Sequence, residues 1–176
     1  MHFFNYRIVA QIMGKRKVKT NAIRTLEQQK IKYDLVHYTY DPENLDVRKI
    51  AAENDLELKQ IYKTLVLQGN QTPILVALVP GDGALDLKKL ASASGNKRVH
   101  MAAVKNLQNL TGYIRGGCCP IGMKKLFPVY IDQQAKALDR IYVNAGQRGI
   151  LMGTLPDELV RISQAQWIDL CKDKGE

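Results

Sequence analysis

The stretch Ile61-Tyr62-Lys63-Thr64-Leu65-Val66-Leu67-Gln68-Gly69-Asn70-Gln71-Thr72-Pro73-Ile74-Leu75-Val76-Ala77-Leu78-Val79 decides the fold class. Two runs rich in β-branched and aliphatic residues, Ile61–Leu67 and Ile74–Val79, flank a Gly/Asn/Pro-bearing hexapeptide, the pattern of two strands joined by a hairpin loop. Outward from this hairpin the periodicity changes. On the N-terminal side, Asn21 to Lys30 reads as a helix with Thr20 as N-cap, Tyr33 to Tyr40 as a strand stopped by Asp41-Pro42, and Asp46 to Asn54 as a second helix. On the C-terminal side, Gly81-Asp82-Gly83 turns into a helix capped by Asp86 and ended by Gly95, and Ala103–Leu110 reads as a helix stopped by Gly112. A glycine-rich stretch from Gly112 to Gly122 precedes strands at Pro128–Asp132 and Ile141–Asn144, a loop at 145–149, and a C-terminal helical region opening at Pro156–Ser163 and including Trp167 and Leu170. Hairpins interleaved with helices imply an α/β or α+β sheet that is not purely parallel.

The chain has 176 residues, 45% hydrophobic and 24% charged, a size and balance that fit one globular domain and exclude disorder as its overall state. No apolar run reaches the roughly 20 residues of a membrane span. Three cysteines without a repeated spacing argue against a disulfide scaffold and fit a reducing, cytoplasmic setting. The net charge of +9 is uneven. Residues 1–32 hold eight basic residues and one acid, whereas residues 33–176 hold 18 basic and 16 acidic residues. Residues 1–19 therefore read as a basic extension, partly disordered, and residues 20–176 as a single domain. The extension is either a solvated arm or a contact for nucleic acid. Residues 1–12 lack the charge-then-apolar order of a secretory signal, and Met13 is an alternative natural start.

Lys63 is the most informative position. Alternation places it on the face of Ile61, Leu65 and Leu67, where an ammonium is costly unless paired. It is either a strand-end lysine carrying its head to water or a cavity lysine that binds a carbonyl, carboxylate or phosphate. The segment Gly112-Tyr113-Ile114-Arg115-Gly116-Gly117-Cys118-Cys119-Pro120-Ile121-Gly122 suits a loop whose backbone approaches a ligand, or a tight turn packed on the sheet. It has neither the Lys-Ser/Thr pair of a Walker loop nor a dinucleotide fingerprint. Cys118 and Cys119 would need a neighbouring histidine to act as nucleophiles, and His2, His37 and His100 are not placed beside them by the sequence. Cys171 reads as a buried or tail residue, and no metal-ligand spacing is present. Tyr38 reads as half-buried, with a hydroxyl in need of a partner. Arg115, Lys124, Lys125 and Arg148 flank the two glycine loops; solvated surface is the default for each, and the placement also suits the phosphates of an RNA end.

Four stretches together resemble the YbaK/EbsC branch of the prolyl-tRNA editing proteins: Tyr62-Lys63-Thr64-Leu65, Leu85 to Ala91, Thr111 to Lys125, and Tyr142 to Gly149, with Tyr38 ahead of Asp41-Pro42. The resemblance implies a mixed, barrel-like sheet surrounded by helices. It also implies a cytoplasmic, stand-alone deacylase that clears Cys-tRNA(Pro), and also Cys-tRNA(Cys), with no cofactor or metal. In that family the substrate cysteine's own thiol attacks its ester, so the protein supplies orientation and charge stabilisation rather than a nucleophile.

Carried over by position, the family lysine falls on Lys63 and the loop on Gly117, Pro120 and Gly122, expected as the catalytic set, with backbone N–H groups of 117–122 on the ester carbonyl. Tyr38, Cys119, Asn144, Gly146 and Arg148 are expected to bind substrate. Cys119 and Asn144 replace the serines usual in the family, which alters pocket size and hydrogen bonding. The expected partners are aminoacyl-tRNA and prolyl-tRNA synthetase, with no membrane or DNA. The alternatives are an Ala-tRNA(Pro) deacylase of the sister group and a non-catalytic module that binds tRNA or a synthetase.

Overall fold

A computed structural model describes residues 19–175. The extension and the Met13 start lie outside the described residues, apart from Lys19. Among the described residues five α-helices and eight strands follow in the order α1 (Asn21–Gln28), β1 (Asp34–His37), α2 (Val47–Glu53), β2 (Tyr62–Gly69), β3 (Ile74–Pro80), α3 (Leu87–Ala93), β4 (Val99–Met101), α4 (Leu107–Thr111), β5 (Val129–Asp132), β6 (Ile141–Asn144), β7 (Ile150–Thr154), α5 (Pro156–Ser163) and β8 (Gln166–Ile168). The expected caps form: Thr20 Oγ1 accepts from Ile23 N–H at 3.2 Å, Asp46 from Arg48 N–H at 2.9 Å, and Asp86 from Lys88 and Lys89 N–H.

The strands make two sheets. The larger is mixed, ordered β4-β2-β3-β5-β8, with β2 antiparallel to β3 and β4, and β5 parallel to β3 and β8. The smaller is antiparallel, ordered β1-β7-β6. A single parallel bridge, Ile61 to Tyr142, joins them, and the sheet does not close into a barrel. The mixed α/β class is as expected. β3 is buried at all seven positions, because it has a strand on each side and apolar clusters on both faces.

The C-terminal region departs from the expected helix. Gln164 adopts φ +55 and ends α5, and Trp167 then enters β8, paired in parallel with Ile131. Gln166-Trp167-Ile168 alternates in strand fashion, and Lys136 Nζ lies 5.4 Å from the Trp167 ring centroid. Asp132, buried at the end of β5, ties this segment down: Oδ2 accepts from Leu170 N–H at 2.9 Å and Cys171 N–H at 3.1 Å, while Oδ1 accepts from Gln134 N–H. Three N–H donors offset the cost of burying that carboxylate.

Candidate functional site

The edge of β2 opposite β3 is covered only in part. The Ile61–Tyr142 bridge holds β6 at its start, and β4 pairs with Leu67–Gly69 at its end. Ala102 N–H reaches Val66 O, so among the described residues no strand is ladder-paired to Lys63, Thr64 and Leu65 on that edge, although β6 runs close to β2 beyond the bridge. These three are also partly exposed, within a strand whose Tyr62, Val66 and Leu67 are buried. The gap therefore presents backbone and side chains at the junction of the two sheets.

Ile61 and Tyr142 pack in one apolar cluster with Ile50 and Leu151. Two residues along each strand, alternation returns Lys63 and Asn144 to that same face. Tyr38, immediately after β1, joins them: its hydroxyl donates to Asn144 Oδ1 at 2.9 Å. This bond assigns the amide, leaving Nδ2 as a donor. Lys63 Nζ donates to Gly83 O at 2.9 Å, on the turn between β3 and α3. Burial lowers the Lys63 pKa, and the nearby Cys171 and Asp82 oppose that shift. Burial raises the Tyr38 pKa, against the pull of a Gly149 backbone hydrogen bond and of Arg148. The Lys63 head is thus partly buried and bonded to a backbone carbonyl of the protein itself.

Arg148 and Gly146 sit on the loop between β6 and β7. Arg148 Nε donates to Arg115 O at 2.7 Å, which links the two glycine loops. The first half of the longer loop packs against the second loop: a Cβ on Gly117 would lie 3.1 Å from Gln147 Cα, and one on Gly116 would lie 3.5 Å from Arg148 Nε. Gly146, at φ +93, fits between Tyr113 and Thr20, whose hydroxyl donates to Ala145 O.

The second half of the longer loop goes elsewhere. Cys118, Cys119 and Ile121 join the core cluster of Tyr62 and Val66, on the β2 face opposite Lys63. Pro120 and Gly122 border a separate hollow of about 220 Å³ with Thr25, Phe127 and Ile162. Lys63 and Cys118–Ile121 therefore lie on opposite sides of β2, whereas Gly117 packs with the loop that carries Arg148. The Gly117 N–H is also occupied, donating to Ile114 O at 2.9 Å. Cys119 has no exposed surface, and burial pushes its thiol up to about 12. Burial likewise raises Cys118, and Cys171 is pushed up to about 12, first by burial and then by Asp132. Thiols so shifted are poor nucleophiles at neutral pH.

Sequence reasoning missed the partners that fold around Lys63. Gly83 and Asp82 arrive through a turn, and Cys171 through the Asp132 anchor. It also missed Thr64 Oγ1 and Tyr62 Oη, both buried without a hydrogen-bond partner among the described residues. Among those residues, no group of three or more His, Cys, Asp or Glu side chains is placed to hold a metal, and no helix is long and apolar enough to cross a membrane.

Residues 41–162, which include Lys63, Asn144 and both glycine loops, match the aminoacyl-tRNA editing domain. The chain belongs to that family. A relative in Enterococcus faecalis, EbsC, named provisionally as a Cys-tRNA(Pro)/Cys-tRNA(Cys) deacylase, is 43% identical over 160 residues, 90% of this chain and 98% of that protein. The proline–tRNA ligase of Sulfurihydrogenibium is 29% identical over 64% of this chain but only 20% of its own length, so the editing domain aligns with one part of a longer synthetase. A crystal structure described, again provisionally, as a trans-editing enzyme for prolyl tRNA synthetase superposes with a TM-score of 0.76 at 26% identity, covering 89% of this chain and all of that one. This editing domain thus shares the mixed sheet of its structural relatives.

Proposed function

We propose that this editing domain is an aminoacyl-tRNA deacylase that acts in trans in the cytoplasm. It removes cysteine from Cys-tRNA(Pro), and also from Cys-tRNA(Cys), with prolyl-tRNA synthetase as a partner. The observation that carries the reading is the open stretch of β2, where Lys63 shares a face with Asn144, itself held by Tyr38. Family membership and the activity for which EbsC is named support the substrate class.

The substrate thiol attacks its own ester carbonyl: a C–S bond forms, the bond from carbon to the ribose oxygen breaks, and the thiol proton passes to that oxygen. The products are a cyclic thiolactone and free tRNA. Such a reaction asks the protein for orientation and for donors where negative charge develops. In this proposal the Lys63 ammonium and the Asn144 Nδ2 supply those donors. Tyr38 fixes the amide, and Arg148 with Arg115 holds the RNA backbone. The loop at Gly117, Pro120 and Gly122 shapes the site by packing, and Cys119 acts from behind it. Residues 20–176 form the editing unit, and the basic residues Lys15–Lys19 add sequence-independent affinity that weakens with salt.

The test is incubation of the full chain with Cys-tRNA(Pro), Cys-tRNA(Cys) and Ala-tRNA(Pro), with and without chelator. Cleavage of both cysteinyl substrates, unaffected by chelator, is expected. Failure to cleave any of them would sink the enzyme reading, and preference for alanine would move the protein to the sister activity.

A further inference from the structure

Tyr40 has no role in the reaction described above. The residue is 42% exposed, yet its ring is braced. Tyr38 meets it edge-on, with centroids 6.5 Å apart and planes at 70°. Beneath it lies bare backbone: a Cβ on Gly149 would stand 3.3 Å from Tyr40 Cδ1 and Cε1, and Gly149 has φ +88. A side chain at 149 would thus press on the ring and strain the loop. An aromatic ring fixed on one side by glycine and an edge-on tyrosine, and open on the other, is a preorganised flat surface.

Arg148 precedes the Gly149 that underlies the ring. Arg148 bears electrostatically on Tyr38, and its Nε is anchored to Arg115 O, while no carboxylate pairs with Arg148 or the exposed Arg115 among the described residues. A flat aromatic surface next to unpaired guanidinium groups matches the chemistry of a nucleotide, with a base to stack and a phosphate to hold. The order along the site is also informative. Tyr40 touches Tyr38, Tyr38 bonds Asn144, and Asn144 shares the face of Lys63. A base on Tyr40 would therefore direct its attached ribose ester toward Asn144 and Lys63.

We propose that Tyr40 is the platform on which the 3′-terminal base of the RNA stacks, with Arg148 holding the adjoining phosphate. This rests on the deacylase reading for the location of the RNA end, not for the cleavage step. Stacking tolerates any base, so Tyr40 positions the end and does not discriminate among tRNAs.

The experiment is equilibrium binding of an RNA hairpin ending in CCA, compared with the same hairpin carrying an abasic 3′-terminal nucleotide. Wild type is expected to prefer the intact end by about tenfold, the scale of one base–aromatic stack. Tyr40→Ala should abolish that preference, and Tyr40→Phe should keep it. No preference in wild type, an undiminished preference in Tyr40→Ala, or a Phe variant as poor as Ala would each overturn the proposal. The readout is binding, so the two readings fail separately. A wild-type protein that prefers the intact end but leaves every ester uncut refutes deacylation alone, and one that cleaves without preference refutes the platform alone.

Discussion

The Tyr38 hydroxyl donates to Asn144 Oδ1 at 2.9 Å, joining residues 106 positions apart in sequence. The bond locks the end of β1 to the end of β6 and fixes which side of the amide donates.

Tyr38→Phe removes this bond while keeping the ring. It is expected to cost about 1 kcal/mol of stability, in the range for a single neutral hydrogen bond. Because the amide is then free to turn, deacylation should fall about tenfold. Asn144→Ala should lower turnover at least as far, and the double variant should be little worse than Asn144→Ala alone. Additive losses in that cycle would show that the two residues act separately.

Lys63→Ala should lower turnover on Cys-tRNA(Pro) by about 100-fold or more, the scale seen when one preorganised donor is removed. A melting curve close to wild type would assign the loss to chemistry rather than folding. The pH profile adds a second check. Burial lowers the Lys63 pKa from its ordinary 10.5, so the protonated head, and with it the rate, should decline at a pH below that value. A rate that holds unchanged up to the ordinary lysine range would contradict a role for the ammonium.

Gly122 and Gly95 form a matched pair, with φ of +74 and +69. A Cβ at Gly95 meets nothing within 4 Å, so Gly95→Ala should cost about 1–2 kcal/mol, the strain of a left-handed alanine. At Gly122 the same atom would lie 2.6 Å from Tyr113 Oη and 2.7 Å from Ala22 N. Gly122→Ala should therefore destabilise by at least a further ~2 kcal/mol, measured by denaturant unfolding. Equal losses at the two sites would show that α1 yields around Gly122.

Cys119 titrates far above an ordinary thiol because it is wholly buried. The unfolded thiol ionises near 9 and the folded one near about 12, so the unfolded state binds fewer protons between those values. The stability tied to this group is complete below pH 9 and is lost as pH rises toward about 12. Cys119→Ser, which has no thiol to ionise, should show a shallower alkaline decline. Indistinguishable alkaline curves would mean that the thiol reaches solvent.

Much of the fold was legible because local chemistry and global packing agree. The β2–β3 hairpin has a Gly/Asn/Pro loop between two apolar runs, and Thr20, Asp46 and Asp86 cap helices as their side chains dictate. β4 and β8 escaped notice because each has three residues, too few to establish a period, and β7 escaped it because all five of its positions are buried, so no alternation marks it. In the site, Tyr38, Lys63 and Asn144 could be singled out from strand position and motif. The separation of Lys63 from the 118–122 loop could not, since it depends on which face of β2 the loop packs against. Tyr40 was visible only as one more aromatic on a strand, and its support by Gly149 arises from a tertiary approach.

The order of the smaller sheet has a consequence for how the site comes into being. Among the described residues β1 pairs only with β7, through His37–Ile150 and Asp34–Gly153, and β7 lies between it and β6. A ribosome extends the chain by more than a hundred residues after β1 before that partner exists. Contacts of such separation form late and slow the folding of the whole. Tyr38 thus meets Asn144 only once nearly the entire domain has emerged, and a truncated or half-folded chain presents no finished cleft to a correctly charged tRNA.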